Sequence, residues 1–457
     1  MKEYVLTMLL TVITICQCVE LRLEIRQISE HRSILITPIQ LGTPMQRVNV
    51  VVDINSYYSW IKDAFKPSLS KSDVVLSYTA RDMQQHVDNY YIQGYHLKDK
   101  VQIGEMIIQN FAFLFLFKSV EHSNANLKDV KGVLGLNCGD KIELKKLNEN
   151  ISFINRARNQ FFKTRIIKLY LNHSLSDTSK QQKEILTIGQ TEDDINNNYE
   201  TCKYINNNND DMLSSSQEEE EEEYFKCYMS HIYVGNVPNK NDNLPFTIKK
   251  NNSLKVNTFV YFSTINQLSF CNHEQFMFIV NTFFIKMINN NECYLKHLNN
   301  TNNTITIIMC DYIAISQMNK INFVFNTNNN VILSISANDF FIKASNGYQM
   351  FTIAHKDSID KWVFGYELMK LLPIGFNHED YTVRFYYHNN SNNVLHKVED
   401  NSIDFSLSDI DISKLKYIKD NISNKNIINK SIIMICNILI SFGTLLLFKL
   451  RKTIGNV

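Results

Sequence analysis

A single aspartate closes the apolar run VVVD (50–53), with Ser56 and Trp60 shortly after it. A carboxylate held at a strand tip can orient a water, move a proton or accept hydrogen bonds from a ligand. To break a bond by general acid–base chemistry it needs a second group carrying the complementary proton. A second apolar run of the same build, FVYF (259–262), leads instead into Ser263 and Thr264, and residues 250–273 contain no Asp or Glu. Other chemistries find little support. The 12 histidines are scattered, and HEQF (273–276) lacks the second histidine of a zinc helix. No glycine-rich phosphate loop or serine-nucleophile elbow is present. Neither metal nor other cofactor is expected. His355 and His378 read as surface or satisfied side chains, Trp362 as a core anchor, and Trp60 as an anchor that could also line a cleft.

These tips need strands to hold them. SILITPIQLG (33–42), QRVNVVVDI (46–54), DKVQIGEMIIQNFAFLFLF (99–117), RIIKLYL (165–171), KINFVF (320–325), NNVILSISA (329–337) and DYTVRFYY (380–387) are rich in β-branched and aromatic residues, in alternating or continuous apolar runs. Helices are expected over 142–149, 274–288 and 366–372. The fold class is mainly β. A half-repeat organises it: the run into Asp53 is followed by GVLGL (132–136), and the run into Ser263 by WVFGY (362–366). Each half thus pairs a strand ending in a small polar tip with a later apolar strand ending in glycine.

Composition bounds the setting. The 457 residues carry 47 Lys plus Arg against 46 Asp plus Glu, so no bulk field draws the chain to nucleic acid. Residues 1–20 have the basic start and short apolar core of a secretory signal peptide. Residues 431–448 are uncharged and apolar, with Lys449, Arg451 and Lys452 behind them, as in a single C-terminal membrane span with tail 449–457 in the cytosol. The expected setting is the secretory pathway, as a single-pass type I membrane protein. Between them lie a body at 21–388, containing the polar, acidic stretch 206–223, and a stalk at 389–430. Of nine cysteines, Cys16 and Cys18 fall in the leader and Cys436 in the span. The remaining Cys138, Cys202, Cys227, Cys271, Cys293 and Cys310 would meet an oxidising compartment. The pairs Cys202–Cys227 and Cys293–Cys310 are favoured, because each brackets an Asn- or Glu-rich excursion; other connectivities stay open. Sequons such as NIS (150–152) fit a glycosylated surface.

The order of motifs resembles the pepsin-like aspartic proteases. ITPIQLGTPMQRVNVVVDINSYYSWI (36–61) is similar to their amino-terminal lobe, where Gly-Thr-Pro-x-Gln precedes a strand ending in Asp-Thr-Gly-Ser; Gly42, Thr43, Pro44, Gln46, Asp53, Ser56 and Trp60 match. VKGVLGL (130–136) resembles the strand behind the catalytic loop. EYFKCYMSHIYVGN (223–236) resembles the opening of the second lobe, and DKWVFGYELMKLLPIGFNHEDYTVRF (360–385) the late Trp-Ile-Leu-Gly-Asp segment. The asparagine runs and membrane tail are similar to those of apicomplexan relatives near the plasmepsins. The resemblance implies two β lobes, 21–190 and 191–388, with a polypeptide-binding cleft between them.

In that family two carboxylates share one proton: one activates water while the other protonates the carbonyl under attack. A threonine in each loop bonds across to the other, and a flap tyrosine closes over the substrate. Here the second position falls on Ser263, followed by Thr264, Ile265 and Asn266. Ile54 cannot make the cross-loop bond, and Asn55 stands where glycine would turn the chain. The flap region offers Tyr90 and Tyr91 without its glycines. Asp53, lacking a like-charged neighbour, is expected to be ionised near neutral pH and to accept hydrogen bonds from Ser56 and Ser263. Ser56, Trp60, Thr264, Tyr90 and Tyr91 are the expected cleft residues. The resulting reading is a membrane-anchored homologue impaired in catalysis that binds a polypeptide or acts as a scaffold; the alternative is an active aspartic endopeptidase using Asp53.

Overall fold

The computed structural model describes residues 18–29, 32–62, 75–81, 89–119, 130–138, 152–162, 164–171, 184–202, 225–235, 246–247, 253–300, 303–311, 319–325, 330–344, 347–387, 394–398 and 403–404. The chain divides into two units, Met1–Ser408 and Asp409–Val457, the second wholly outside the described residues. The span at 431–448, the tail, most of the leader, the acidic stretch 206–223, the sequon asparagine at 150 and the expected helix at 142–149 also lie outside them. Among the described residues no helix is long and apolar enough to cross a membrane.

Among the described residues, three large sheets and a two-stranded one make up the first unit. Eight strands between Glu24 and Gly135 form the first-lobe sheet. A larger sheet of 12 strands, running from Lys226–Val234 to Val394–Val398, forms the second lobe. A sheet of six strands takes three from each half and joins the lobes. At its centre Ile166–Tyr170 lies antiparallel to Ile374–Asn377, with Leu169 opposite Ile374. Apolar runs buried on both faces explain these central strands: Ile166, Ile167, Leu169, Ile374 and Phe376 are all buried. A charged cluster sits on the same sheet. Arg384 holds Asp194 at 2.8 Å and stacks over the Tyr199 ring, while Lys168 pairs with Asp193 and lies over Tyr386. Loss of Arg384 would leave the buried Asp194 without its cation, and loss of Asp193 would leave the buried Lys168 without its anion.

The sequence-expected strands form, with the 99–117 run divided at Gly104-Glu105 into two antiparallel strands. The 274–288 helix is present as His273–Ile279, a π turn at Val280–Phe284 and Ile285–Asn289, capped by the Asn272 side chain. Its Phe276, Phe278 and Phe284 are buried, so it is a core helix. The helix at 366–372 shrinks to Tyr366–Met369. Both favoured disulfides form. Cys293 and Cys310 face each other across a hairpin, and Cys202–Cys227 ties the joining sheet to the second lobe.

Two segments differ from expectation. Residues 18–20, expected in the leader, belong to the strand Cys18–Arg22, which pairs with Ile185–Gly189 and buries Leu21. Residues 394–398, read as stalk, add an antiparallel strand to Asn330–Ile335, and Ile403–Asp404 pairs with Phe246–Thr247. The second lobe therefore runs past residue 388. Long-range pairing supplies the partners that a polar local composition hides.

Candidate active site

The two tips sit at the ends of matched strands. Gln46–Asp53 runs parallel to Gly132–Gly135, with Asp53 opposite Gly135; Ser253–Ser263 runs parallel to Trp362–Gly365, with Ser263 opposite Gly365. Each glycine is forced by close approach. A Cβ on Gly135 would stand 2.5 Å from the Tyr58 carbonyl oxygen, and one on Gly365 would stand 2.3 Å from that of Leu268. The anchoring bonds match too: the Gly135 N–H donates to Ser59 Oγ and the Gly365 N–H to Ser269 Oγ, both at 3.1 Å. The half-repeat seen in the sequence is thus a structural repeat around two crossed loops.

Direct bonds dock the loops. The Thr264 hydroxyl donates to the Val52 carbonyl at 2.7 Å and accepts the Ile54 N–H at 3.3 Å. From the other side, Asn55 Nδ2 donates to the Phe262 carbonyl at 2.8 Å. Both flanks of Asp53 are thereby fixed against both flanks of Ser263. Asn55, which stands where the family has a glycine, is not among the residues with positive φ. Its side chain does the work instead.

Burial shifts the titration at this site, while Asp53 still stays mostly ionised near neutral pH, as expected. Asp53 remains half-buried, but the protein around it desolvates the carboxyl and raises its pKa to about 6, against hydrogen bonds from the Asn55 and Ser56 backbone N–H groups that favour the ionised form. Burial thus does part of what a second carboxylate would do. Alternation along the strand puts Val51 and Asp53 on one face, and Ile265 of the second loop packs on that face with Ile34, Ile36, Val51, Val130 and Val133. The Ser56 hydroxyl does not serve Asp53; it donates to the Tyr58 carbonyl at 3.0 Å. Ser263 does not serve it either: its Oγ is buried with no hydrogen-bond partner among the described residues.

The other candidates separate. Thr264 is fully buried in the lock and is not a cleft wall. Trp60 is half-buried at the start of Trp60–Lys62, which pairs with the strands carrying Leu114 and Val133. Tyr90 and Tyr91 lie on the returning strand of a long hairpin, opposite Ala80 and Thr79; their side chains are outside the described residues. Trp362 is a core side chain against Phe323 and Phe364. His355 is satisfied by the Cys271 carbonyl and Asp357. His378 is neither at the surface nor satisfied: it is buried, edge-on to Phe225, with neither ring nitrogen in a hydrogen bond. Burial and then the charge of Arg165 lower its pKa to about 3, against an opposing contact with the Leu136 backbone, and this keeps it neutral.

One carboxylate escaped the sequence reading. Glu367, just past Gly365, reaches back to Gln267 at 3.3 Å, but its charge is neutralised by Lys370 at 2.8 Å. No motif marks it; only the fold of the chain after Gly365 brings it to the loop. Among the described residues no His, Cys, Asp and Glu grouping could hold a metal.

Residues 35–198 match the family model described as eukaryotic aspartyl protease. No curated protein matches the sequence. Among solved structures the chain is similar to the crystal structure of aspartic proteinase from Irpex lacteus, at 12% identity and a TM-score of 0.54, covering 81% of this chain and 98% of that one. At that identity the likeness shows the fold: mainly β and pepsin-like. The family match covers residues that include Asp53, and for the rest of the chain the likeness is one of fold.

Proposed function

We propose that this pepsin-like aspartic protease domain is a membrane-anchored homologue impaired in catalysis, which binds a polypeptide in its cleft or scaffolds other membrane proteins. The observation that carries this reading is Ser263, which ends the second of two like strand pairs where Asp53 ends the first. A serine hydroxyl cannot share and return a proton in the way a second carboxylate does. Glu367, the acidic group bonded to that loop, is held by Lys370. The docked loops, the paired glycines and the half-buried Trp60 support a cleft kept for binding. The apolar segment 431–448 and the basic residues behind it support a membrane anchor, and two disulfides support an oxidising, secretory setting.

One observation favours residual endopeptidase activity as a second reading. With a pKa near 6, Asp53 changes protonation in a mildly acidic compartment and is able to donate a proton there. The test exposes the full chain in detergent to a mixed peptide library and recovers the retained peptides for mass measurement. Peptides retained intact, and less well by Asp53→Ala, are the expected result. Absence of retention, or recovery of new fragments that Asp53→Ala abolishes, contradicts the proposal.

A further inference from the structure

We infer that Asn55 is a positioning residue that takes over the work of a hydroxyl missing from position 54, and that Ile54 and Asn55 are one coupled exchange rather than two separate losses. The crossed loops present two buried carbonyls, Val52 before Asp53 and Phe262 before Ser263. Each needs a donor from the opposite loop, because a buried carbonyl without one costs free energy. Thr264, directly after Ser263, supplies the first at 2.7 Å. Its counterpart directly after Asp53 is Ile54, which is fully buried and has no donor on its side chain. Asn55 supplies the second, with Nδ2 at 2.8 Å from the Phe262 carbonyl. The orientation of the amide follows, since its oxygen cannot face a carbonyl oxygen.

The same residue holds the carboxylate. The Asn55 N–H donates to Asp53 Oδ1 at 2.9 Å, and its carbonyl accepts from Asn137 Nδ2 at 3.3 Å. Asn55 therefore links Asp53, the second loop and the turn after Gly135 through one short side chain and its own peptide. Any motion that breaks the Phe262 bond also moves the N–H that faces the carboxylate. The second loop has no equivalent, because Ile265 spends its side chain on the apolar patch around Val51. The lock is thus a hydroxyl from one loop and an amide from the other. It stands whether or not the chain cuts peptides.

The coupling makes a sign-reversing test. In the full-length protein, Ile54→Thr should lower thermal stability, because the Phe262 carbonyl is already taken and apolar contact is lost. In an Asn55→Ala background the same Ile54→Thr change should raise stability, because the new hydroxyl finds that carbonyl free. Two local readouts separate positioning from general weakening. Asn55→Ala should speed hydrogen exchange of the Ile54 amide by about 10-fold or more relative to Ile167 and Leu169 in the joining sheet. It should also move the Asp53 titration midpoint away from about 6, and adding Ile54→Thr should restore both. If Asn55→Ala does not fold, Asn55→Gly carries the same comparison. The inference is overturned if Ile54→Thr has the same sign of effect in both backgrounds, or if the Ile54 amide keeps its protection without the Asn55 side chain.

Discussion

The loop ending in Asp53 and the loop ending in Ser263 are carried in the same way and finished differently. Both sit on parallel strand pairs, both press a glycine against a neighbouring carbonyl, and both anchor that glycine N–H on a serine. At the tips the likeness ends. One is a carboxyl whose pKa burial raises, and the other is a buried hydroxyl with no hydrogen bond among the described residues. Parts fixed by close packing have stayed equivalent in the two halves, while the chemical ends are free to differ. A shared fold is therefore no warrant for shared catalysis.

The scaffold half of this comparison should give the largest effects. Gly135→Ala and Gly365→Ala each drive a methyl into a backbone carbonyl, so each should cost about 3 kcal/mol or more in denaturant unfolding. Similar losses at both positions support the equivalence. A loss well under that at one of them would show that its loop relaxes and that the two crossings differ.

The tips should break the equivalence. Thr264→Val removes a donor and an acceptor from the lock and should cost about 1–3 kcal/mol. Ser263→Ala removes a hydroxyl that bonds to nothing described, so stability should change little or rise slightly. A large loss from Ser263→Ala would mean that the hydroxyl has a bonded role at the site.

A smaller effect is the pH dependence contributed by Asp53. Its folded pKa of about 6 lies above its ordinary value of 3.8, so across that window the folded protein keeps a proton that the unfolded chain has released. This group therefore takes stability away as pH rises from about 4 to about 6, and the loss is complete above that window. Asp53→Asn should remove this slope from melting temperatures measured across the window. Unchanged slopes would place the raised pKa elsewhere.

Much of this was legible in the sequence because it rests on period and local chemistry. The VVVD run, the two apolar strands ending in Gly135 and Gly365, and the cysteines flanking polar excursions each appear as short patterns. What stayed hidden depends on partners far along the chain. Nothing near Asn55 indicates that its amide meets Phe262, and nothing near Ile265 indicates that it packs on Val51. The strand at Val394–Val398 looked like stalk because its partner, Asn330–Ile335, lies in another part of the sequence. Likewise the Asp53 pKa follows from the protein gathered around it, which a search for a neighbouring carboxylate could not reveal.

The most direct test of the account compares cleavage of one peptide library by the wild type, Asp53→Ala and Ser263→Asp, each as full-length protein, from about pH 3 to about pH 7. A missing second carboxylate predicts that wild type and Asp53→Ala give the same uncut profile, and that Ser263→Asp gains cleavage which adding Asp53→Ala removes. Cleavage by the wild type that Asp53→Ala abolishes would contradict the account.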